Sequence, residues 1–220
     1  MVLVTGGTFK MGDNEGESDE KPVHQVTLKS FSIAKTETTV LQYKTFCNAT
    51  GRIFPAEMTG KSDSEPIVEV SWDDAIVYTG WLAKKTGKNY RLPTQAEWEY
   101  AARGGNKSQG HKYSGGRNLD AVGWYDVNSD SSTHSVANKR PNELGIYDMS
   151  GNVWEWCKDW YGPYSNAAVI NPKGSTTGLC RVLRGGGWGD TPARCRVSNC
   201  NGSLPGSRGT DCGFRVALSP

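Results

Sequence analysis

Tyr90-Arg91-Leu92-Pro93-Thr94-Gln95-Ala96-Glu97-Trp98-Glu99-Tyr100-Ala101-Ala102-Arg103-Gly104 carries the clearest local punctuation in the chain. Pro93-Thr94 sets a helix start, and Thr94 with Glu97 has capping-box spacing. Trp98, Ala101 and Ala102 then share an inward face, and Gly104 ends the helix. Two more helices follow the same grammar upstream. Thr39 and Gln42 open one whose face is Val40, Tyr43, Phe46 and Cys47, with Gly51 as its stop. Ser71, with Asp74 three residues on, opens another that carries Ala75, Tyr78, Trp81 and Leu82 and ends near Gly87.

Strand signals are short: residues 2–4, 23–28, 31–33, 181–183 and 214–218. Most of residues 105–180 is rich in glycine, asparagine and serine, with single aromatics every few positions, as in ordered loop. The expectation is α+β: a few helices, a small antiparallel sheet and much loop, in one domain spanning 1–220. Trp72, Trp98, Trp154 and Trp156 are expected mostly buried, because aromatics must supply much of such a core.

The chain has 220 residues, with 36% hydrophobic and 22% charged. Its 27 glycines fit many turns, and its 8 tryptophans exclude a disordered chain. The net charge of +2 is interspersed, so no nucleic-acid partner is expected. No apolar run is long enough for a transmembrane helix, and Met1-Val2-Leu3-Val4-Thr5-Gly6 is too short for a signal peptide core. The six cysteines show no C-x-x-C pair and read mainly as small buried thiols. His24, His111 and His134 fall into no metal or triad spacing. Gly104-Gly105 and Gly185-Gly186-Gly187 lack the lysine and serine or threonine of a phosphate loop and read as turns.

The densest oxygen cluster is Asp148-Met149-Ser150-Gly151-Asn152-Val153-Trp154-Glu155-Trp156. Asp148 and Glu155 offer carboxylates, and Gly151 and Val153 offer carbonyls, to a hard cation such as calcium. The competing reading is a tryptophan-anchored turn whose carboxylates cap backbone amides.

Several of these segments, taken in order, resemble one family. They are residues 7–12, Thr36-Glu37-Thr38-Thr39, Pro66-Ile67-Val68-Glu69-Val70-Ser71-Trp72, residues 90–104, 145–156 and 181–188, and Gly213-Phe214-Arg215-Val216. Together they are similar to the formylglycine-generating-enzyme type of sulfatase-modifying-factor domain. That resemblance implies a C-type-lectin-like fold with long inserted loops. It also maps a structural calcium onto Asp148, Gly151, Val153 and Glu155. A second family calcium site is not expected, since Val122 stands where an asparagine belongs. No other cofactor is required.

The enzymes of that family hold copper on two cysteines, two and seven residues past the aromatic of a G-G-S-aromatic motif. Here the aromatic is Trp188. The second position is Cys195, but the first is Asp190. A carboxylate is a hard ligand and a poor replacement for thiolate at Cu(I). The related iron-dependent sulfur-transfer branch needs a further helical domain, for which this chain has no room.

The C-terminal part resembles the variable proteins of diversity-generating retroelements. The shared anchors are Val182-Leu183-Arg184-Gly185-Gly186-Gly187-Trp188, Cys195-Arg196-Val197-Ser198-Asn199, Arg208 and Gly213-Phe214-Arg215. In those systems adenines of a template are mutated, so asparagine codons become NNY. NNY never encodes Lys, Glu, Gln, Met or Trp. These five types make up 41 of the 220 residues, and none occurs in the 24 residues 189–212. Uniform usage would leave such a gap about once in a hundred stretches. Cys200, where relatives carry arginine, and Pro192, often alanine, depart from the pattern.

The resemblance implies a variable region of about 182–220 and a ligand-contact set. That set is Gly189, Asp190, Thr191, Ala193, Arg194, Cys200, Asn201, Gly202, Ser203, Leu204, Gly206, Ser207, Gly209, Thr210, Asp211 and Cys212. Asp190, Thr191, Arg194, Asn201, Ser203, Leu204, Ser207, Thr210 and Asp211 are expected to be solvent-exposed on one contiguous face, over a frame of Trp188, Cys195, Arg196, Val197 and Phe214. The implied protein is a non-enzymatic, monomeric binder of a macromolecular or surface ligand, placed at the cell surface or outside the cell. A copper oxidase and a degenerate structural relative are the alternatives.

Overall fold

The computed structural model describes residues 1–219. Its three long helices form where the caps place them. Helix α1 (Val40–Thr50) starts at Thr39, whose side chain accepts from Gln42 N, and stops at Gly51 with φ 71°. Helix α2 (Trp72–Thr86) runs from the Ser71–Asp74 box to Gly87, at φ 70°. Helix α3 (Gln95–Ala102) starts at Thr94, and all eight of its residues are buried. A one-turn helix α4 (Leu119–Val122) begins at Asn118.

The strands build three small sheets rather than one. Strands β1 (Val2–Val4), β4 (Phe31–Ile33), β5 (Tyr90–Arg91) and β11 (Ala217–Leu218) form an antiparallel sheet in the order β1-β4-β11-β5. It joins the first and last strands of the chain. Strands β2 (Gly7–Met11), β3 (His24–Leu28) and β7 (Val169–Ile170) form the second, with β3 and β7 parallel. The third has the order β10-β6-β8-β9. It comprises β6 (Trp154–Trp160), β8 (Arg181–Arg184), β9 (Cys200–Ser203) and β10 (Cys212–Gly213).

The loop expectation for 105–180 therefore fails at β6. This strand reads Trp-Glu-Trp-Cys-Lys-Asp-Trp, and Glu155 and Asp159 are as buried as Trp154 and Trp156, so no polar face is left to solvent along it except at Lys158. Both of its faces are covered. Trp154 and Trp156 join Tyr43, Phe46, Tyr78 and Phe214 on the side of α1 and α2. Cys157 joins Val26, Ile33, Trp98 and Ala101 on the side of α3. Strand β8 divides likewise, with Leu183 in the first cluster and Val182 in the second. Trp98, Trp154 and Trp156 are buried as expected. Trp72 is only half-buried: as the first residue of α2 it lies along the surface, its indole N–H on the Cys157 carbonyl and its ring under the Arg181 guanidinium.

Candidate functional surface and its buried frame

The segment 189–212 hangs from β8 and returns through β9 and β10. The glycine run at its head is steric in origin. A Cβ on Gly186, which sits at φ 76°, would come within 3.0 Å of Cys195 Sγ and the Arg194 carbonyl. The backbone must pass that close to fold the next turn onto the frame.

Three arginines hold the frame through buried ion pairs. Arg184 donates to Glu99 at 3.0 Å and to the carbonyls of Ser198 and Asn199 at 2.9 and 3.1 Å. Both ends of the Arg184–Glu99 pair are fully buried. Arg196 grips both oxygens of Glu20. Arg215 places its Nε and Nη2 on Glu155, each at 2.7 Å. Breaking the Arg215–Glu155 pair leaves a buried charge without its cation, a loss of about 3–5 kcal/mol, whereas Glu99 keeps Arg103 at 2.7 Å if Arg184 is lost. The turn 195–200 is thereby pinned, and all six of its residues are buried.

Around this turn the expected contact residues divide into three groups. Gly189, Thr191, Ala193, Arg194, Leu204, Gly206 and Thr210 are exposed. Asp190, Asn201, Gly202, Ser203, Ser207, Gly209, Asp211 and Cys212 are only half-exposed. Cys200 is buried, which corrects its place in the ligand-contact set. Its thiol points at the Asp19 carbonyl at 3.7 Å, and burial pushes it up to about 12. Gly202 is a second correction, since a Cβ there would meet the Tyr161 ring at 2.7 Å. Gly189 and Gly206, in contrast, face open space. Trp188 is half-buried rather than beneath the surface, with its indole on the Thr210 carbonyl at 3.2 Å.

Two clefts open between the exposed groups. One, of about 380 Å³, lies between Glu17-Ser18-Asp19 and Thr191, Ala193, Arg194, Asn199 and Asn201. The other, of about 290 Å³, lies between Trp188 and Thr210 on one side and Lys61, Glu69 and Ser132 on the other. Asp190 and Asp211 both approach Gly187, and burial, joined by the Asp190 charge, raises the Asp211 carboxyl. The loop 204–211 is tied down by backbone bonds from Glu69 and Trp72 and by Arg208, which reaches Asp74 at 2.6 Å.

The Asp190 carboxylate has a structural task. One oxygen accepts from Trp154 Nε1 at 2.7 Å and from Gly187 N at 2.8 Å, closing the turn after the glycine run. Cys195 is fully buried with Tyr113, Leu119, Val122 and Tyr125. Burial, and then the Asp190 charge, holds its thiol well above the ordinary range. A thiol kept protonated is a poor metal ligand or nucleophile.

At the expected calcium loop the structure assembles Asp148 and Glu155 and adds Glu37, which the sequence reading passed over. Glu155 is fully engaged, holding Trp98 Nε1 at 2.8 Å as well as Arg215. Asp148 Oδ2 accepts from Ala137 N at 2.7 Å, and Glu37 Oε1 accepts from Asn152 Nδ2 at 3.1 Å. Their other oxygens, Asp148 Oδ1 and Glu37 Oε2, are buried without a partner. Burial and their mutual charge push Glu37 well above the usual carboxylate range, and burial raises Asp148 too. Gly151 and Val153 lie in the buried turn that leads into β6. No group of three or more His, Cys, Asp or Glu side chains is arranged around a metal position among the described residues. Two free carboxylate oxygens therefore fit a cation only with help from backbone carbonyls. The signal for Glu37 lay in its place within Thr36-Glu37-Thr38-Thr39, a polar run whose two central residues end up buried.

Fold and site together define a C-type-lectin-like α+β protein of the formylglycine-generating-enzyme type, with loops inserted around a buried ionic frame. The Sulfatase-modifying factor enzyme 1-like domain matches residues 1–220, and the chain belongs to that family. It is 33% identical over 284 residues to a formylglycine-generating enzyme of Streptomyces coelicolor, covering 98% of this chain and 88% of that one. It is 34% identical to a serine/threonine-protein kinase pkn1 of Chlamydia pneumoniae, covering 99% of this chain but 37% of the kinase. Among solved structures it is similar to Treponema denticola variable protein 1, at a TM-score of 0.87 and 30% identity, covering 100% of this chain and 95% of the other.

Proposed function

We propose that the chain is a non-enzymatic binder whose contact face is the exposed part of residues 189–212, diversified by a retroelement and displayed at the cell surface as a single-domain monomer. Its ligand is macromolecular or a surface component. The observation that carries this reading is the state of Asp190. It stands at the first copper-ligand position, and its carboxylate is spent on Trp154 and Gly187, while the side chains around it face solvent on a fixed frame. Function on replaceable loops over a rigid scaffold follows the logic of antibody combining sites. The similarity to a variable protein along the whole chain supports it.

The second reading is a formylglycine-generating oxidase, favoured by the identity to the Streptomyces enzyme. Incubation with Cu(I), oxygen and a cysteine-containing peptide separates the two. The binder forms no aldehyde on the peptide and takes up no oxygen with it. Aldehyde formation abolished by Cys195→Ser would establish the oxidase.

A calcium ion at this loop belongs beside Asp148 and Glu37, whose free oxygens it would satisfy, while Glu155 serves Arg215. Chelation then lowers the melting temperature of the protein, and Glu37→Gln removes that sensitivity. A melting curve unmoved by chelator contradicts the ion.

A further inference from the structure

The cleft beside β9 has one wall outside the diversified segment. Residues 13–20 read Asp-Asn-Glu-Gly-Glu-Ser-Asp-Glu, five carboxylates in eight residues of a chain whose net charge is +2. One cation answers them: Arg196, on Glu20 and, at 3.6 Å, on Asp13. Arg194, across the cleft, leans toward Asp190 at 3.7 Å and is more than half exposed. Glu17 and Asp19 line the cleft and are in no ion pair among the described residues.

Two side chains at its floor also lack donors. Asn199 is 5% exposed, lines the cleft, and uses its Nδ2 on Glu20 at 3.3 Å, which leaves Oδ1 with no partner. Asp19 receives the Tyr161 hydroxyl on Oδ2, and its Oδ1 is unpartnered as well. A buried acceptor left bare destabilises, because it has given up water and gained no donor. Two such acceptors in one acidic cleft call for a cationic group with several N–H bonds.

We infer that this cleft is a subsite for a basic side chain of a protein partner, an arginine or a lysine, with Asp19 and Asn199 as its floor and Glu17 at its rim. The inference rests on the reading of residues 189–212 as the contact face and adds a constant element to it. Thr191, Ala193, Arg194 and Asn201 set what surrounds the cation. Glu17, Asp19 and Asn199 are structural parts of the frame or of the opposite wall, and they demand a cation whatever the rim becomes. Arg194 opposes the demand in this variant, so its removal strengthens binding.

The test uses the full chain and two probes, N-acetyl-arginine methylamide and its neutral isostere N-acetyl-citrulline methylamide, followed by backbone amide shifts. The arginine probe should saturate shifts at Asp19, Asn199 and Cys200, with citrulline about tenfold weaker, the value of one charge-assisted hydrogen bond. Arg194→Ser should tighten arginine binding. Glu17→Gln, at an exposed site, should weaken it, and Asp19→Asn, which keeps an acceptor for Tyr161, should weaken it further. Equal affinity for the two probes, or no saturable shift at the cleft, overturns the inference. Probe binding that ignores Glu17→Gln and Asp19→Asn while rim replacements change specificity sinks the subsite and spares the contact face. Probe binding with the reverse pattern spares the subsite and sinks the face.

Discussion

Residues 195–200 and their flanks, 189–194 and 201–211, belong to one segment with one composition, yet they meet opposite environments. The central turn is buried, and its carbonyls are held by Arg184 and its own arginine by Glu20. The flanks contain every exposed side chain of the segment, and they touch the frame mainly through backbone bonds, Asp190 and Arg208. Backbone bonds are indifferent to side-chain identity, whereas a buried guanidinium is not. A segment can therefore be replaced position by position only where the fold grips its main chain.

That contrast is broken most severely by removing the grip. Arg184→Met leaves Glu99 with Arg103 alone, at 2.7 Å, and uncaps the carbonyls of Ser198 and Asn199, so urea unfolding should show a loss of about 2–4 kcal/mol. A loss below about 1 kcal/mol would mean that the central turn holds itself. Within the flanks, two glycines make the same comparison at smaller scale. Gly202→Asn drives a Cβ into the Tyr161 ring and should cost about 1–3 kcal/mol. Gly206→Asn, in open space, should stay within about 0.5 kcal/mol. Equal costs at the two sites would remove the distinction.

A third probe lies in the frame's other strand. Asp159 in β6 is buried, accepts from Gln95 N at 3.0 Å and has one bare oxygen. Burial pushes its carboxyl up to about 7. The folded state thus holds a proton that the unfolded chain releases near pH 4, so this group's contribution makes stability fall as pH rises from about 4 to about 7. Asp159→Asn keeps the acceptor and should flatten that decline. A pH profile unchanged by the substitution would show that the carboxyl is already ionised in the fold.

The helices were legible because capping boxes and terminal glycines are local: Thr39, Ser71 and Thr94 each bind the amide three residues on. Strand β6 was not, because its polar residues are buried by partners distant in sequence, Arg215 for Glu155 and Gln95 for Asp159. The same cause hid Glu20, Glu37 and Glu99, whose roles exist only once Arg196, Asp148 and Arg184 arrive. The anchors of the C-terminal segment were readable as a pattern, and so was the absence of Lys, Glu, Gln, Met and Trp from residues 189–212. Burial within that span was not readable, since Cys200 and Gly202 obey the codon rule as well as Gly206 does. What separates them is the pleat of β9, which turns Cys200 and Gly202 toward Asp19 and Tyr161.

The most direct measurement replaces Thr191, Ala193, Arg194, Leu204 and Thr210 together with tyrosine, serine and asparagine in several combinations, and records urea unfolding beside binding to a common panel of surface proteins. The account predicts stability within about 1 kcal/mol per site of the parent and a binding profile that differs between combinations. Variants that unfold, or that bind the panel as the parent does, would contradict it.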